Sequence, residues 1–405
     1  MERVIFHVDV NNAYLSWTAV RKLKDGEKLD IRKIPAVIGG DEKSRHGIVL
    51  AKSPVAKKFG IKTAETLYSA RKKCPNLKVF PAEFSWYSKQ SNLMFEYLSG
   101  YTPEIERFSI DECFMDLTGT NLLYKDLESL AYKIKDDIKN NFGFTVNVGI
   151  GNNKLCAKMA SDFLKPDRVH TLYMGEIPSK MWILDVSRLF MVGKKTAQVL
   201  KSVNINTIGD LAKADDNLLK RLFKNQASFL KNSARGIDNS KVSSRSGKNE
   251  SVSMTATLPY DYDDPVKLKE ILFSQTEEVT RSLRSKNSYA SVVAVTYKNN
   301  NFISYSHQRK LEVPSNNTID IYKEVVSIFD NSYRGDAIRN IGVRLGDLVK
   351  SRTTQVSLFS EVEVNDKDDV MTTVVDNINR KYGNSSVIPA SIKVIGKSNK
   401  HEKVK

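Results

Sequence analysis

One stretch, Ser109-Ile110-Asp111-Glu112-Cys113-Phe114-Met115-Asp116-Leu117, limits the possible folds of this chain more than any other. It sets two adjacent carboxylates inside an otherwise apolar, β-prone run. Neighbours on a strand point to opposite faces, so Asp111 and Glu112 can converge only at a strand end or a tight hairpin. Carboxylates at such a bend repel each other, and a hard divalent cation removes that repulsion. A lone Asp-Glu pair is ordinarily a solvated turn, so a second feature has to support the cation reading.

That feature is near the N-terminus, where Val4-Ile5-Phe6-His7-Val8 is an apolar strand that delivers Asp9 just before the chain turns at Val10-Asn11-Asn12. If the two strands are neighbours in one sheet, Asp9, Asp111 and Glu112 form a three-carboxylate cluster. Such a cluster suits two Mg²⁺ ions and a triphosphate substrate. Charge narrows the partner: Lys and Arg number 63 against 47 Asp and Glu, for a net +16, which points to a polyanion. Membrane binding is the other use of such charge, but no run approaches the ~20 apolar residues of a spanning helix. The N-terminus has a strand pattern and not that of a signal peptide. Cys74, Cys113 and Cys156 sit in apolar surroundings without metal spacing, as in a reducing compartment. The expectation is a soluble, cytoplasmic, nucleic-acid-binding protein of two to four domains.

Periodicity orders the rest. Residues 14–24 read as a helix, Ile34 to Ile38 and Gly47 to Ala51 as short strands, and 53–60 and 66–73 as short helices. Together they suggest a small basic insert over 21–77, after which the main sheet is expected to resume at Leu77-Lys-Val-Phe-Pro81. Helices at 84–100 and 124–141 flank the acidic hairpin, and Phe144 to Gly151 is a clean strand. Short helices follow from 180 to 240. Around Gly193-Lys194-Lys195 they have the spacing of a helix-hairpin-helix, whose Gly turn and helix N-terminus can hold a DNA phosphate. The polar run Ser240 to Ser253 reads as a linker. Beyond it, strands and helices follow in the order β-α-β-β-α-β over 251–347, with Lys298, His307, Arg309, Lys310, Arg339 and Arg344 on the strands.

With these features in chain order, the protein resembles the Y-family, or translesion, DNA polymerases, on the bacterial polymerase IV and V side. The match runs from residue 3 to residue 350. The resemblance implies an α+β multidomain fold, a right hand with a ferredoxin-like palm (1–20 and 78–168), small fingers (21–77) and a helix-hairpin-helix thumb (169–240). Residues 1–240 would then be the catalytic core. A separate βαββαβ little-finger domain would occupy 241–350, and a tail 351–405. It places Asp9, Asp111 and Glu112 on the catalytic metal carboxylates, with the Val10 carbonyl assisting two Mg²⁺ ions. Tyr14 falls on the aromatic gate under the deoxyribose, where a ring excludes a ribose 2′-OH. Asn12 and Ala13 fall beside it at the incoming dNTP, and Lys165 falls on the triphosphate lysine. Gly193, Lys194, Lys195, Arg309, Arg339 and Arg344 are the expected DNA contacts. Gln355-Val-Ser-Leu358-Phe359 resembles the pentapeptide that docks on the bacterial sliding clamp, the β subunit. The implied partners are primer–template DNA, dNTP and the clamp, with the chain a monomer.

Several positions depart from the family pattern. Its Tyr-x-x-Arg pair on the finger helix reads Pro54-Val-Ala-Lys57, so Lys57 offers a point charge without the arginine fork, and Ser53 is the substitute for the lost hydroxyl. An acid is common where Asn11 stands, and an aromatic where Ala13 stands. The expected activity is template-directed, low-fidelity nucleotidyl transfer past damaged bases. Two rivals remain. One is a DNA- and clamp-binding accessory protein with reduced catalysis. The other is a diguanylate-cyclase-like enzyme, suggested by Gly39-Gly-Asp-Glu42, although that motif lies in a peripheral turn and not on the central hairpin.

Overall fold

The structure, a computed structural model, describes residues 2–41, 45, 47–120, 123–243 and 251–351, with 374–375, 377–378, 381–382 and 386–387 beyond them. Strand β1 (Ile5–Val10) leads into helix α1 (Ala13–Lys24). Between them Asn12 adopts φ 50, a left-handed conformation that asparagine tolerates better than most residues, and so turns the chain just beyond Asp9. There follow β2 (Ala36–Gly39), β3 (Val49–Lys52), α2 (Pro54–Lys58), α3 (Leu67–Lys73) and β4 (Lys78–Pro81). The Ser53 and Thr66 side chains cap α2 and α3, and Pro54 takes the first helical position, where its missing N–H costs nothing.

These strands form a sheet of their own, ordered β3-β2-β4. The main sheet therefore does not resume at Leu77: β4 pairs in parallel with β2, Ala36 opposite Lys78. Leu77 and Val79 pack with Val37, Val49 and Leu67. Periodicity identifies a strand but says nothing of its partner, and here the partner lies forty residues back, within the insert.

The larger sheet is completed by α4 (Phe84–Ser99), β5 (Ile105–Arg107), β6 (Glu112–Asp116), α5 (Leu127–Phe142), β7 (Val146–Gly151), α6 (Lys154–Ser161) and β8 (Val169–Leu172). Its order is β5-β6-β1-β7-β8, with β1 central and antiparallel to both neighbours. Register decides which residues share a face. Phe6, Val8, Val10, Cys113, Met115, Val146, Val148 and Ile150 form one core with Trp17, Met94 and Ile134 from the helices α1, α4 and α5. The alternate residues are the polar ones: Asp9 lies opposite Glu112 on one side and Asn147 on the other, and His7 lies opposite Phe114 and Gly149.

Helix α6 covers this second face at unusually close range. A Cβ on Gly149 would lie 2.0 Å from the Ala157 carbonyl oxygen and 2.3 Å from the Ser161 nitrogen, so only glycine lets the helix backbone rest on the strand. The other side of α6, Leu155 and Met159, packs with Leu200, Ile208, Leu211 and Leu230. These four leucine and isoleucine residues belong to α7 (Lys194–Ser202), α8 (Ile208–Lys213) and α10 (Ala227–Ala234), with α9 (Asp216–Phe223) between α8 and α10. Ahead of α7 the chain forms a 3-10 turn, Val186–Arg188, and not a full helix.

A second unit begins after residue 246. Its elements are β9 (Ser251–Tyr262), α11 (Pro265–Ser285), β10 (Tyr289–Asn299), β11 (Ser304–Ser315), α12 (Thr318–Ser332) and β12 (Ile338–Val349), the predicted β-α-β-β-α-β order. The sheet runs β11-β10-β12-β9 with every neighbour antiparallel, and both helices lie against one face. Among the described residues no helix is long and apolar enough to cross a membrane.

Candidate active site

The polar face under α6 gathers the charged groups. Ligand atoms of His7, Asp9 and Glu112 all lie within 4.8 Å of one another. The Lys158 ammonium bonds to Glu112 and approaches Asp9 Oδ2 at 3.4 Å, and Lys165 Nζ lies 3.0 Å from the same oxygen. Burial alone would raise the Glu112 carboxyl, but the His7 contact and the Lys158 charge outweigh it and hold the pKa down to about 2. Burial would also depress the Lys158 and Lys165 amines, yet both are raised by the surrounding carboxylates, Asp9 first. His7 is fully buried, with Nδ1 2.8 Å from Ser161 Oγ and Nε2 3.2 Å from Glu112 Oε2. Burial pushes its pKa down, which favours the neutral imidazole beside the carboxylate.

Asp111 stands apart from this tight group, at the bend before β6. Its carbonyl accepts the Val10 N–H at 3.0 Å, which ties the hairpin to the end of β1, and the Ser109 hydroxyl donates to its carboxylate. Its pKa is raised, first by burial and then, against the Ser109 bond, by the charges of Asp9 and Glu112. The three carboxylates are thus near enough to repel, as the sequence suggests, but Asp111 faces a different space from Glu112. A hard cation fits this donor set: the oxygens are carboxylates and the Val10 carbonyl, and the like charges of Asp9 and Glu112, which add to burial in raising Asp111, are ones that a divalent ion offsets. His7 Nδ1 is engaged with Ser161, while Nε2 is buried beside Glu112 without a well-formed hydrogen bond.

Asp111 opens onto a pocket lined also by Val10, Asn12, Ala13, Tyr14, Leu50, Ala51, Lys52 and Thr63. The Tyr14 ring stacks on Tyr87 at 4.7 Å and 11° and meets Phe84 edge-on at 5.9 Å, which fixes its plane at the pocket wall. Its hydroxyl is raised by burial and then by Asp111, so it stays protonated. Lys52 Nζ donates to Thr63 Oγ1 at 3.0 Å; burial and then the nearby Lys57 charge lower its pKa.

Two of the expected residues are engaged elsewhere in the structure. Ser53 is fully buried, and its hydroxyl donates to the Ile34 carbonyl and accepts the N–H of Ala36 and Ala56. The Ser-Pro pair is a helix cap with nothing left for a substrate, and on that side the pocket is lined by the polar Lys52 and Thr63 instead. The second is in the other unit. Arg309 pairs with Val293 in register and reaches Glu324 and Ser327 on α12, so it lies on the helix side of its sheet. Arg344, opposite Ala294 and Ser253, lies on the open side, while Arg339 sits at a register shift with its guanidinium over Phe302. The three arginines therefore do not share a face. Within the paired register the open side carries Lys298, Lys310 and Arg344 among Ser253, Thr255, Thr257, Thr296, Ser304, Ser306, Gln308 and Asn340, and no carboxylate.

Gly193 is the N-cap of α7, with Lys194 and Lys195 exposed in its first turn. Gln355, Leu358 and Phe359 lie outside the described residues. The sequence reading missed His7, Lys158, Lys52 and Thr63. Only His7 carried a usable signal, because it is two residues before Asp9 and so on the same face of a strand.

Residues 8–162 match the impB/mucB/samB family and residues 249–358 its C-terminal domain. The chain is 47% identical over 390 residues to DNA polymerase IV of Clostridium acetobutylicum, covering 96% of this chain and 98% of that protein. DNA polymerase IV 1 of Bacillus subtilis is 34% identical, over 94% of this chain and 91% of its own length. Among solved structures a Y-family DNA polymerase chimera superposes with a TM-score of 0.73 at 22% identity, over 86% of this chain and 100% of the chimera, a likeness of fold.

Proposed function

The chain belongs to the Y-family DNA polymerases, within the impB/mucB/samB family and beside the proteins named DNA polymerase IV, and is a DNA-directed DNA polymerase; from that premise we propose that it extends primers past damaged template bases at low fidelity, using dNTPs. The observation that carries this reading is the cluster of Asp9 with Glu112, whose charges reach Asp111 where it opens onto a pocket that Tyr14 and Lys52 line. Two Mg²⁺ ions held by Asp9, Asp111, Glu112 and the Val10 carbonyl would supply Lewis acidity, making the primer 3′-hydroxyl more acidic and screening the triphosphate.

The chain's own side chains do the rest. Lys165, and Lys52 with Lys57 from the insert, take phosphate charge. The Tyr14 ring fills the space a 2′-hydroxyl would need, with Asn12 and Ala13 beside it. His7 and Lys158 keep Glu112 ionised. Leu50, Ala51 and Thr63 are modest side chains over the pocket and leave room for a distorted base pair, at a cost in selectivity. The palm, fingers and thumb correspond on this reading to the five-stranded sheet, the three-stranded insert with α2 and α3, and helices α7 to α10. Duplex DNA is gripped by the α7 N-terminus at Gly193, Lys194 and Lys195, and by the open face with Lys298, Lys310 and Arg344, along with Arg339. Gln355–Phe359 is proposed to recruit the monomer to the sliding clamp.

Primer extension on a gapped template tests the centre of this reading. Asp111→Ala is expected to lose about 10³-fold or more in rate, several kcal/mol of transition-state stabilisation. Undiminished extension by that variant, or by the wild type in excess chelator, refutes it. DNA binding without extension by the wild type would favour the accessory-protein reading. Deleting Gln355–Phe359 should leave basal extension intact and abolish stimulation by added clamp; equal stimulation removes the clamp assignment.

A further inference from the structure

Asn147 sits in the middle of β7, fully buried and directly opposite Asp9. Its amide uses its whole hydrogen-bonding capacity. Oδ1 accepts from Asn11 Nδ2 at 3.1 Å and from the Arg168 N–H at 3.3 Å, and Nδ2 donates to the carbonyls of Ser161 at 3.0 Å and Leu164 at 2.6 Å. These partners come from three places: the end of the strand that carries Asp9, the last turn of α6, and the Leu164–Arg168 turn. Asn11 extends the link, since its Oδ1 accepts from Thr145 Oγ1 and from the Asp167 N–H, both at 2.9 Å. The Asp167 carboxylate is in turn held by Lys135 at 3.0 Å and Lys139 at 2.8 Å.

Lys165 is carried by the turn so tied, with bonded anchors at 164, 167 and 168. A lysine side chain on an untethered turn has much conformational entropy to lose when it meets a phosphate, and the anchors remove the backbone share of that loss beforehand. The pair at 11 and 147 is chemically matched. An acid at position 11 could still accept from Thr145 and Asp167, but would set an oxygen against Asn147 Oδ1 where a donor is needed.

We propose that Asn147, together with Asn11, is a positioning residue that fixes where Lys165 meets the triphosphate of the incoming dNTP. The inference rests on the assignment of Lys165 to the triphosphate. Neither asparagine touches the substrate; both act through the turn.

The test is single-nucleotide extension by Asn147→Ala, Lys165→Ala and the double variant, with thermal unfolding measured alongside. Asn147→Ala is expected to raise the KM for dNTP about ten-fold while kcat changes much less. Lys165→Ala should raise KM at least as much, and the double variant should be no worse than Lys165→Ala alone. If Lys165→Ala raises KM but Asn147→Ala does not, or adds its full effect in the double variant, the positioning role is overturned and the lysine assignment stands. If Lys165→Ala leaves KM unchanged, both fall. Should Asn147→Ala not fold, Asn11→Asp in the same two backgrounds must show the same lack of additivity, and additive effects there overturn the proposal equally.

Discussion

In the five-stranded sheet, the polar face of β1 is closed over by α6, and Asp9, Glu112 and Lys158 retain only 11–14% of their side-chain exposure. In the four-stranded sheet, the face opposite the helices stays open, and Lys298, Lys310 and Arg344 stand among hydroxyls and amides. Both sheets use the same alternation of side chains. Covering one of them converts charge into a tightly coupled set, in which each carboxylate is held by a named cation or hydrogen bond and a small backbone shift reaches all of them. Leaving the other open keeps the cations independent, screened by salt and suited to a partner that is itself a repeating row of charge.

Three measurements would sharpen or break this contrast. The largest effect is expected from Gly149→Ala, which sets a methyl against the α6 backbone. About 3 kcal/mol of stability should be lost, a fall of about 10 °C in Tm, together with most extension activity. Thr296→Ala on the open face should stay within about 0.5 kcal/mol of wild type. Equal losses would mean that the cover over the first sheet is not close-packed. Next, Tyr14→Ala should reduce discrimination against ribonucleotides about 100-fold, read as the ratio of kcat/KM for dNTP and rNTP; an unchanged ratio refutes the gate. The smallest effect belongs to the open face. Arg344→Ala should weaken DNA binding a few-fold and lower the slope of log K against log salt by about 1. Arg309→Ala, whose guanidinium is paired with Glu324, should leave that slope unchanged. The reverse result would invert the assignment of faces.

Much of this could be read before any coordinates. The acidic hairpin, the strand that ends in Asp9 and the β-α-β-β-α-β order of the second unit are written in runs of a few residues. Other features were not legible. Leu77 to Pro81 has a clear strand pattern yet joins the small sheet. Ser53 has the right chemistry for phosphate yet is wholly engaged as a cap. Arg309 and Arg344 look alike in sequence but lie on opposite faces, because register across three strands, with its shifts, decides parity. Lys158 reads as one more cation on a small-residue helix until Gly149 brings that helix down onto the carboxylates.

The sequence by itself determined the elements and their order, since backbone sterics, capping and apolar period act between residues a few positions apart. Tertiary structure alone decided which strand pairs with which, which face is sealed, and that the amides of Asn11 and Asn147 share a hydrogen bond across 136 positions of chain. Such contacts depend on the register and packing of the whole sheet, and no local stretch carries that information.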